Sequence, residues 1–336
     1  MKTLLLTLLA LSSAAPIGAA GAGKPLTVPL GEKNLHLDDY YFDENLKKLV
    51  VPGGRTGKLL LIDPETRAVE SLEVVPVSKD APETASGLTT AHGGEGLIFT
   101  ANRTDNRLYV MDPAIKKVIA KAQLASAPDI VRYVSATREV WVTEPKKNQI
   151  EVFSLSASTA LRPIDPRQEL IIPSTHGEYE FLQIDMKRKR AYSNQEDTTV
   201  AIELQSKKIV ETWKNGCKSA TGLALDAERG FLIVACREGR ATVLDLKDGR
   251  QLSSLKSGDG VDLIAYVPSR SLVYLPGAKS QTLAWAELSP AGELKAAGKP
   301  AATVKNAHCV AADPLGGAWV CDGASGALLY FPPPEE

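Results

Sequence analysis

The chain has few residues for cross-linking, no surplus of charge and no long apolar run. Its 336 residues include four cysteines, three methionines and 6% aromatics. Basic and acidic residues number 39 and 40, a formal net charge of −1. No charge excess directs such a chain to nucleic acid or to an anionic membrane. No stretch approaches the roughly 20 apolar residues that a membrane-spanning helix needs. C-x-x-C and H-x-x-x-H spacings are absent, so no ready zinc motif exists. C-x-x-C-H is absent too, which argues against covalent haem. Neither a nucleophile elbow nor a metalloprotease motif occurs. Segments of helical period are nearly missing beyond the first 20 residues.

What is present begins with a leader. Lys2 is followed by an apolar run over 4–11, broken only by Thr7, and then by small residues. Gly18-Ala19-Ala20 offers an A-x-A-like cleavage site. Residues 1–20 read as a cleavable secretory signal peptide. That reading places the mature protein in the periplasm or outside the cell. Cysteines there favour disulfides, and Cys217, Cys236, Cys309 and Cys321 are even in number.

Internal repeats decide the fold class. A short apolar strand, a turn, a second apolar strand, a polar loop, a third strand and a weaker fourth recur along the chain. The third strand is the clearest anchor. It reads LLLID at 59–63, LYVMD at 108–112, IEVFS at 150–154 and AIELQ around Glu203. It continues as ATVLD at 241–245, LAWAE at 283–287 and ALLYF at 327–331. Successive anchors end 49, 42, 49, 42, 42 and 44 residues apart. That period fits four-stranded propeller blades. The chain is therefore expected to be all-β, a seven-bladed β-propeller forming one domain over 24–334. Asp63-Pro64 and Asp112-Pro113 start turns after third strands. Asp226 and Asp313 start turns between first and second strands. The last repeat lacks a fourth strand before Pro332-Pro333-Pro334. The orphan segment KPLTVPL at 24–30 is expected to supply it and close the ring. The longest irregular stretch is the outer loop of blade 3, at 156–166.

These repeats resemble the YVTN-repeat (YncE-like) family of bacterial β-propellers. The resemblance is carried by FTAN at 99–102 with LYVMDPAIKKVIA after it. WVTE at 141–144 and LIVACREGRATVLD at 232–245 match more loosely. It spans essentially the whole chain after the leader. It implies a propeller that recognises a ligand on one face of the ring, and it brings no catalytic motif.

Propeller geometry then ranks the residues. Aligning the repeats on their first turn gives one position per blade near the channel mouth: Asp38, Gly87, Asp129, Glu180, Thr221, Asp262 and His308. Convergent carboxylates would focus negative potential in a narrow mouth. Such a mouth can hold a divalent cation such as Ca²⁺ through oxygen ligands, or an organic cation. It can also do neither, its groups bonding neighbouring blades and water. The loops 53–56, 102–106, 144–148 and 194–198 share this face, as do Arg237, Arg240 and Lys279. Cross-strand placement suggests the pairs Cys309–Cys321 and Cys217–Cys236. Reduced thiols, or a zinc site using His308, are the alternatives. The run Lys187-Arg-Lys-Arg190 is expected to be a solvated turn on the opposite face. His92 and His176 are expected in turns or loops. Trp141, Trp319 and Trp285 are expected to pack between blades. Asn102-Arg-Thr104 is a glycosylation sequon.

Three readings of function follow. The first is a monomeric, non-enzymatic binding or interaction module for a protein or small-molecule partner. The second is a divalent-metal-dependent hydrolase of lactonase type, with Asp38, Glu180, Asp262 and His308 as ligands. The third is a propeller subunit of a periplasmic redox complex.

Overall fold

A computed structural model describes residues 25–76, 84–155 and 166–334, with backbone alone at 166–169. The leader at 1–20 and the blade 3 loop at 156–165 lie outside these residues. Strands dominate. Among the described residues the two helical turns, Pro145–Lys147 and Pro268–Arg270, are single 3₁₀ turns that begin with proline.

Seven antiparallel sheets form a ring. Six run in simple chain order, each from an inner first strand outward, over 41–73, 88–123, 131–173, 183–214, 220–256 and 265–302. The short strand Ala301–Ala302 adds a second outer pairing to blade 6. The third strands begin with Lys58–Ile62 and end with Ala327–Phe331, and they follow the expected period. In blade 4 the strand is Thr198–Glu203, starting three residues before the AIELQ stretch.

The seventh sheet joins both ends of the described chain. Val310–Ala312, Ala318–Asp322 and Ala327–Phe331 receive Leu26–Pro29 as outermost strand. Leu26 stands opposite Tyr330 and Val28 opposite Leu328. Alternation sends Val28 into the core and leaves Thr27 exposed. Leu30 N–H donates to Gly326 O at 2.8 Å and extends the join.

The expected turn chemistry is visible atom by atom. Asp63 Oδ1 accepts from the N–H groups of Glu65 and Thr66 at 3.0 and 2.8 Å. Asp112 Oδ1 accepts from Ala114 N–H at 2.9 Å, and Asp313 Oδ1 from Gly317 N–H at 2.9 Å. Each carboxylate takes over backbone donors that a tight turn would strand.

Trp141 and Trp319 are fully buried on second strands, and Trp285 is buried on a third strand. Two cysteine pairs stand at bonding distance, Cys217–Cys236 and Cys309–Cys321, with S–S separations of 2.00 and 2.13 Å. Among the described residues no helix is long and apolar enough to cross a membrane. Both facts are compatible with an extracellular or periplasmic protein.

His92 corrects an expectation. It lies within the inner strand Leu88–Gly94, not in a turn, and its ring stacks on Tyr41 at 5.4 Å. The glycines that follow it look like a turn in sequence. They are instead places where Asp43 and the Tyr133 ring pack against backbone. The basic run lies in a turn with both lysines exposed, as expected, and three of its side chains are paired. Lys187 pairs with Glu228 at 2.7 Å, Arg188 with Asp185 at 3.0 Å and Arg190 with Glu211 at 2.5 Å.

The closing strand gives a direct test. Val28→Asp would bury an unpaired charge in the blade 7 core and should cost at least about 3 kcal/mol. Thr27→Asp, one residue away on the solvent side, should change stability by less than about 0.5 kcal/mol. Urea titration of both variants reads the difference. Equal effects would mean that the strand does not dock in this register.

Candidate functional site

One repeated bond between blades defines the channel mouth. The N–H of Asp39 donates to Thr89 O at 2.9 Å, Gly222 to Asp262 O at 2.8 Å, and Leu263 to His308 O at 3.0 Å. The residue before each donor, and each acceptor, holds the same place in its blade. Asp38, Thr89, Thr221, Asp262 and His308 are therefore equivalent. Asp129 and Glu180 match one another: their N–H groups bond Thr143 O at 2.9 Å and Asn194 O at 3.0 Å.

Blade 2 departs from the sequence alignment. Thr89, not Gly87, is its mouth residue, as its bond with Asp39 N–H shows; the inner strand bulges there between Leu88 and Thr90, as blade 5 does between Ala220 and Leu223. Gly87 lies two residues earlier at φ +69°, and a Cβ there would meet Gly54 O at 2.1 Å. Only glycine fits that contact. Thr221 is buried, and its hydroxyl donates to Val261 O at 3.2 Å. Both threonines are thus walls beneath the mouth.

The two blades that place threonine there each add an arginine just after the second strand. Arg103 follows Leu97–Asn102, and Arg237 follows Phe231–Cys236. Each arginine reaches the carboxylates of the two flanking blades. Arg103 donates to Asp38 Oδ2 at 3.0 Å, to Asp129 in close contact, and to Pro128 O at 2.9 Å. It also meets His36 Nε2 at 3.1 Å. A guanidinium only donates, so this ring nitrogen accepts. Burial, with Arg103 and His308 nearby, pushes the His36 pKa down to about 4 and keeps the ring neutral.

Arg237 is held more loosely, 3.7 Å from Glu180 and 4.0 Å from Asp262. Its side chain is 46% exposed, against 21% for Arg103. His308 completes the ring. Its Nδ1 lies 2.7 Å from Asn306 O, a carbonyl that only accepts, so Nδ1 carries the proton. Its Nε2 lies 3.9 Å from Asp38 Oδ1.

Four carboxylates therefore face two arginines, and the acids feel the imbalance. Burial raises Asp38 to about 6, with Arg103 pulling it back and Asp262 adding repulsion. Burial also holds Asp129 well above the usual range against the pull of Arg103. Glu180 is raised by burial, opposed by Arg237 and reinforced by Asp262. These groups are close enough to sense one another across the mouth.

The expected metal set of Asp38, Glu180, Asp262 and His308 is brought to one mouth but is split between counterions. Asp38 is bonded to Arg103, while Glu180 and Asp262 both face Arg237. Among the described residues, the one trio at metal-ligand spacing is His308, Cys309 and Cys321. Its two sulfurs are joined to each other.

Of the other sequence candidates, His176 is exposed and its Nδ1 lies 2.8 Å from Thr175 Oγ1. The sequon residue Asn102 is buried, and its Oδ1 accepts from Thr104 N–H at 2.9 Å. Arg103 and His36 were not legible as site residues one at a time. A column alignment of the residue after each second strand would have singled out Arg103 with Arg237. Below the mouth lies a pair that no motif announces. Arg132 forks onto Asp39 at 2.6 and 2.9 Å, and Thr90 donates to the same carboxylate at 2.6 Å. On the far side, the channel widens into a cavity of about 1010 Å³ with Tyr41, His92, Tyr133 and Tyr266 in its wall.

No family model and no curated protein sequence matches the chain. Solved structures do. A chain of the mitotic checkpoint complex superposes with a TM-score of 0.74 at 11% identity, covering 100% of this chain and 99% of that one. U3-55K superposes at 0.73 and 10% identity, covering 93% and 100%. Likeness at this identity establishes the fold, and the site must be argued from its own residues.

Raised carboxylates make stability depend on pH. In the unfolded chain Asp38 titrates near the ordinary aspartate value of about 3.9. In the folded protein it keeps its proton to about 6. The folded state binds more protons between those values, so stability falls as pH rises through this window. Wild type should lose up to about 2–3 kcal/mol relative to Asp38→Asn between pH 4 and pH 6.5. Urea midpoints of both proteins at the two pH values measure it, and parallel curves would refute it.

Proposed function

We propose that the protein is an exported recognition module of the YVTN-repeat type whose channel mouth binds a cationic group of a ligand or partner. The observation that supports this is the contrast between the two arginines. Arg103 is fixed by two carboxylates and a carbonyl. Arg237 is half-exposed and stands outside ordinary hydrogen-bond range of Glu180 and Asp262. Neither acid of that pair accepts a hydrogen bond from Arg237, and both are more exposed than Asp38 and Asp129, so their acceptor capacity is open to an outside donor. An ammonium or guanidinium from outside can displace Arg237 and take shorter, charge-assisted bonds there. Blades supply the two acids from separate sheets, so their spacing is set by the rigid ring and little ordering is needed on binding.

Titration with hexylamine, followed by NMR, tests this. Glu180→Gln with Asp262→Asn should weaken binding by at least about tenfold, since a hydrogen bond to a charged group is worth about 1.5–3 kcal/mol. Arg237→Ala should strengthen it, because the internal competitor is gone. Binding should fall with salt, as the site is partly open. An Arg237→Ala variant that binds no better, or a site that takes Ca²⁺ or Mn²⁺ through the same two acids in preference to the amine, would overturn the reading.

A further inference from the structure

On the side of blades 5 to 7 the mouth opens into a cavity with a different balance of charge. It measures about 630 Å³, within the usual range for small-molecule sites. Its wall includes Arg237, Gly260, Asp262, Lys279, Lys305 and His308. Asp262 is its one carboxylate among the described residues, and that carboxylate already faces Arg237. Among the described residues, Lys279 and Lys305 form no ion pair. The cavity therefore carries surplus positive charge next to a mouth with surplus negative charge.

The wall is built rather than accidental. A chain of backbone bonds ties three blades together around it. Gly260 N–H donates to Arg237 O at 2.9 Å, Ala278 N–H to Gly260 O at 3.2 Å, and Asn306 N–H to Ala278 O at 3.2 Å. Lys279 N–H donates to Asp259 O at 3.0 Å. Gly260 sits at φ +80°, and a Cβ there would lie 2.9 Å from both the nitrogen and Cγ of Lys279. The glycine thus lets the lysine stem lie flat along the wall. Leu35 N–H bonds Gly323 O at 2.8 Å and holds the segment carrying His36 against blade 7. Two unpaired lysines lining the cavity complement a compact anion, and Arg237, Asp262 and His308 belong both to this cavity and to the ring of the mouth.

We infer that this cavity receives the anionic end of a dipolar ligand whose cationic end lies between Glu180 and Asp262. The ligand class is a small molecule bearing an ammonium and a carboxylate. The inference rests on the cation reading of the mouth and extends it to a second anchor. It assigns the lysines to selectivity: a simple amine lacks the group they recognise.

Three probes of one chain length separate the possibilities: hexylamine, hexanoate and ω-aminohexanoate. Each is titrated against the whole mature protein by NMR or calorimetry. ω-Aminohexanoate should bind at least about tenfold tighter than hexylamine, a gain of about 1.4 kcal/mol. Lys279→Gln with Lys305→Gln should abolish that gain without weakening hexylamine binding, since two repelling charges leave the neighbourhood of the cation site. Both lysines are exposed, so the double variant keeps the fold; its thermal midpoint serves as the control. ω-Aminohexanoate binding no tighter than hexylamine would overturn the inference and leave the cation site standing. A gain that survives the lysine substitutions would overturn it as well. Hexanoate binding through the lysines with no hexylamine binding would instead sink the cation reading, and the dipolar ligand with it.

Discussion

A ring of sheets exposes two raw edges unless its ends meet. Here the meeting is one four-residue ladder, Leu26–Pro29 on Ala327–Phe331. Without it, blade 7 would present Ala327–Phe331 as an open apolar edge, and such edges invite pairing with other chains. The join is reinforced inside the ring. The buried hydroxyl of Tyr40 reaches Trp319 O at 2.8 Å and Cys309 O at 3.1 Å, so the start of blade 1 is fastened to blade 7. The segment between the closing strand and blade 1 carries His36, Asp38 and Asp39. Closure therefore does more than seal the core. It fixes three of the groups that define the channel.

That constraint explains why so much charge can sit near the axis. Burying a carboxylate costs several kcal/mol unless a partner answers it. Asp39 meets a forked guanidinium, that of Arg132, which also lies 4.8 Å over the Phe181 ring. Asp38 and Asp129 share Arg103. One guanidinium divided between two acids cannot neutralise both, and burial wins: both carboxyls stay above their usual range. Around the other half of the ring Arg237 is farther from its acids, yet those acids are more open to water. The two halves repeat one design, threonine below and arginine above. They differ in tightness, and the looser half is where an outside group can compete.

The architecture was legible because strand period is a property of local sequence. Seven third strands repeat every 42 to 49 residues, and each is apolar enough to be seen alone. The orphan strand was legible for a topological reason: the last repeat was one strand short. Cysteine pairing followed once Cys309 and Cys321 were placed on adjacent strands of one hairpin. The mouth is harder. Asp38, Asp129, Glu180, Asp262 and His308 share a column in the repeats, but the repeats put Gly87 where the fold puts Thr89. Thr89 is identified by its bond with Asp39 N–H across blades, a contact that no spacing along the chain encodes. Arg103 stayed hidden because its partners come from blades 1 and 3, and no spacing along the chain encodes that meeting. Gly93-Gly94 mimics a turn in sequence, yet His92 lies within a strand. In the fold those glycines exist to admit Asp43 and Tyr133.

The two cysteine pairs fit the same logic. Each lies in a blade that borders the basic cavity, and neither sulfur pair is needed for the core of a chain this long. Cys236 is the residue before Arg237, and Cys309 is the residue after His308. Each bond thus pins the backbone next to a mouth side chain while leaving that side chain free to turn. His308 keeps Nδ1 on Asn306 O, which leaves Nε2 directed at Asp38 whatever the ligand does. A site made from separate blades needs this kind of local stiffening, because no single sheet holds all of its groups. The mouth thus sets oppositely charged side chains from separate blades on backbone that the sulfur bonds hold in place.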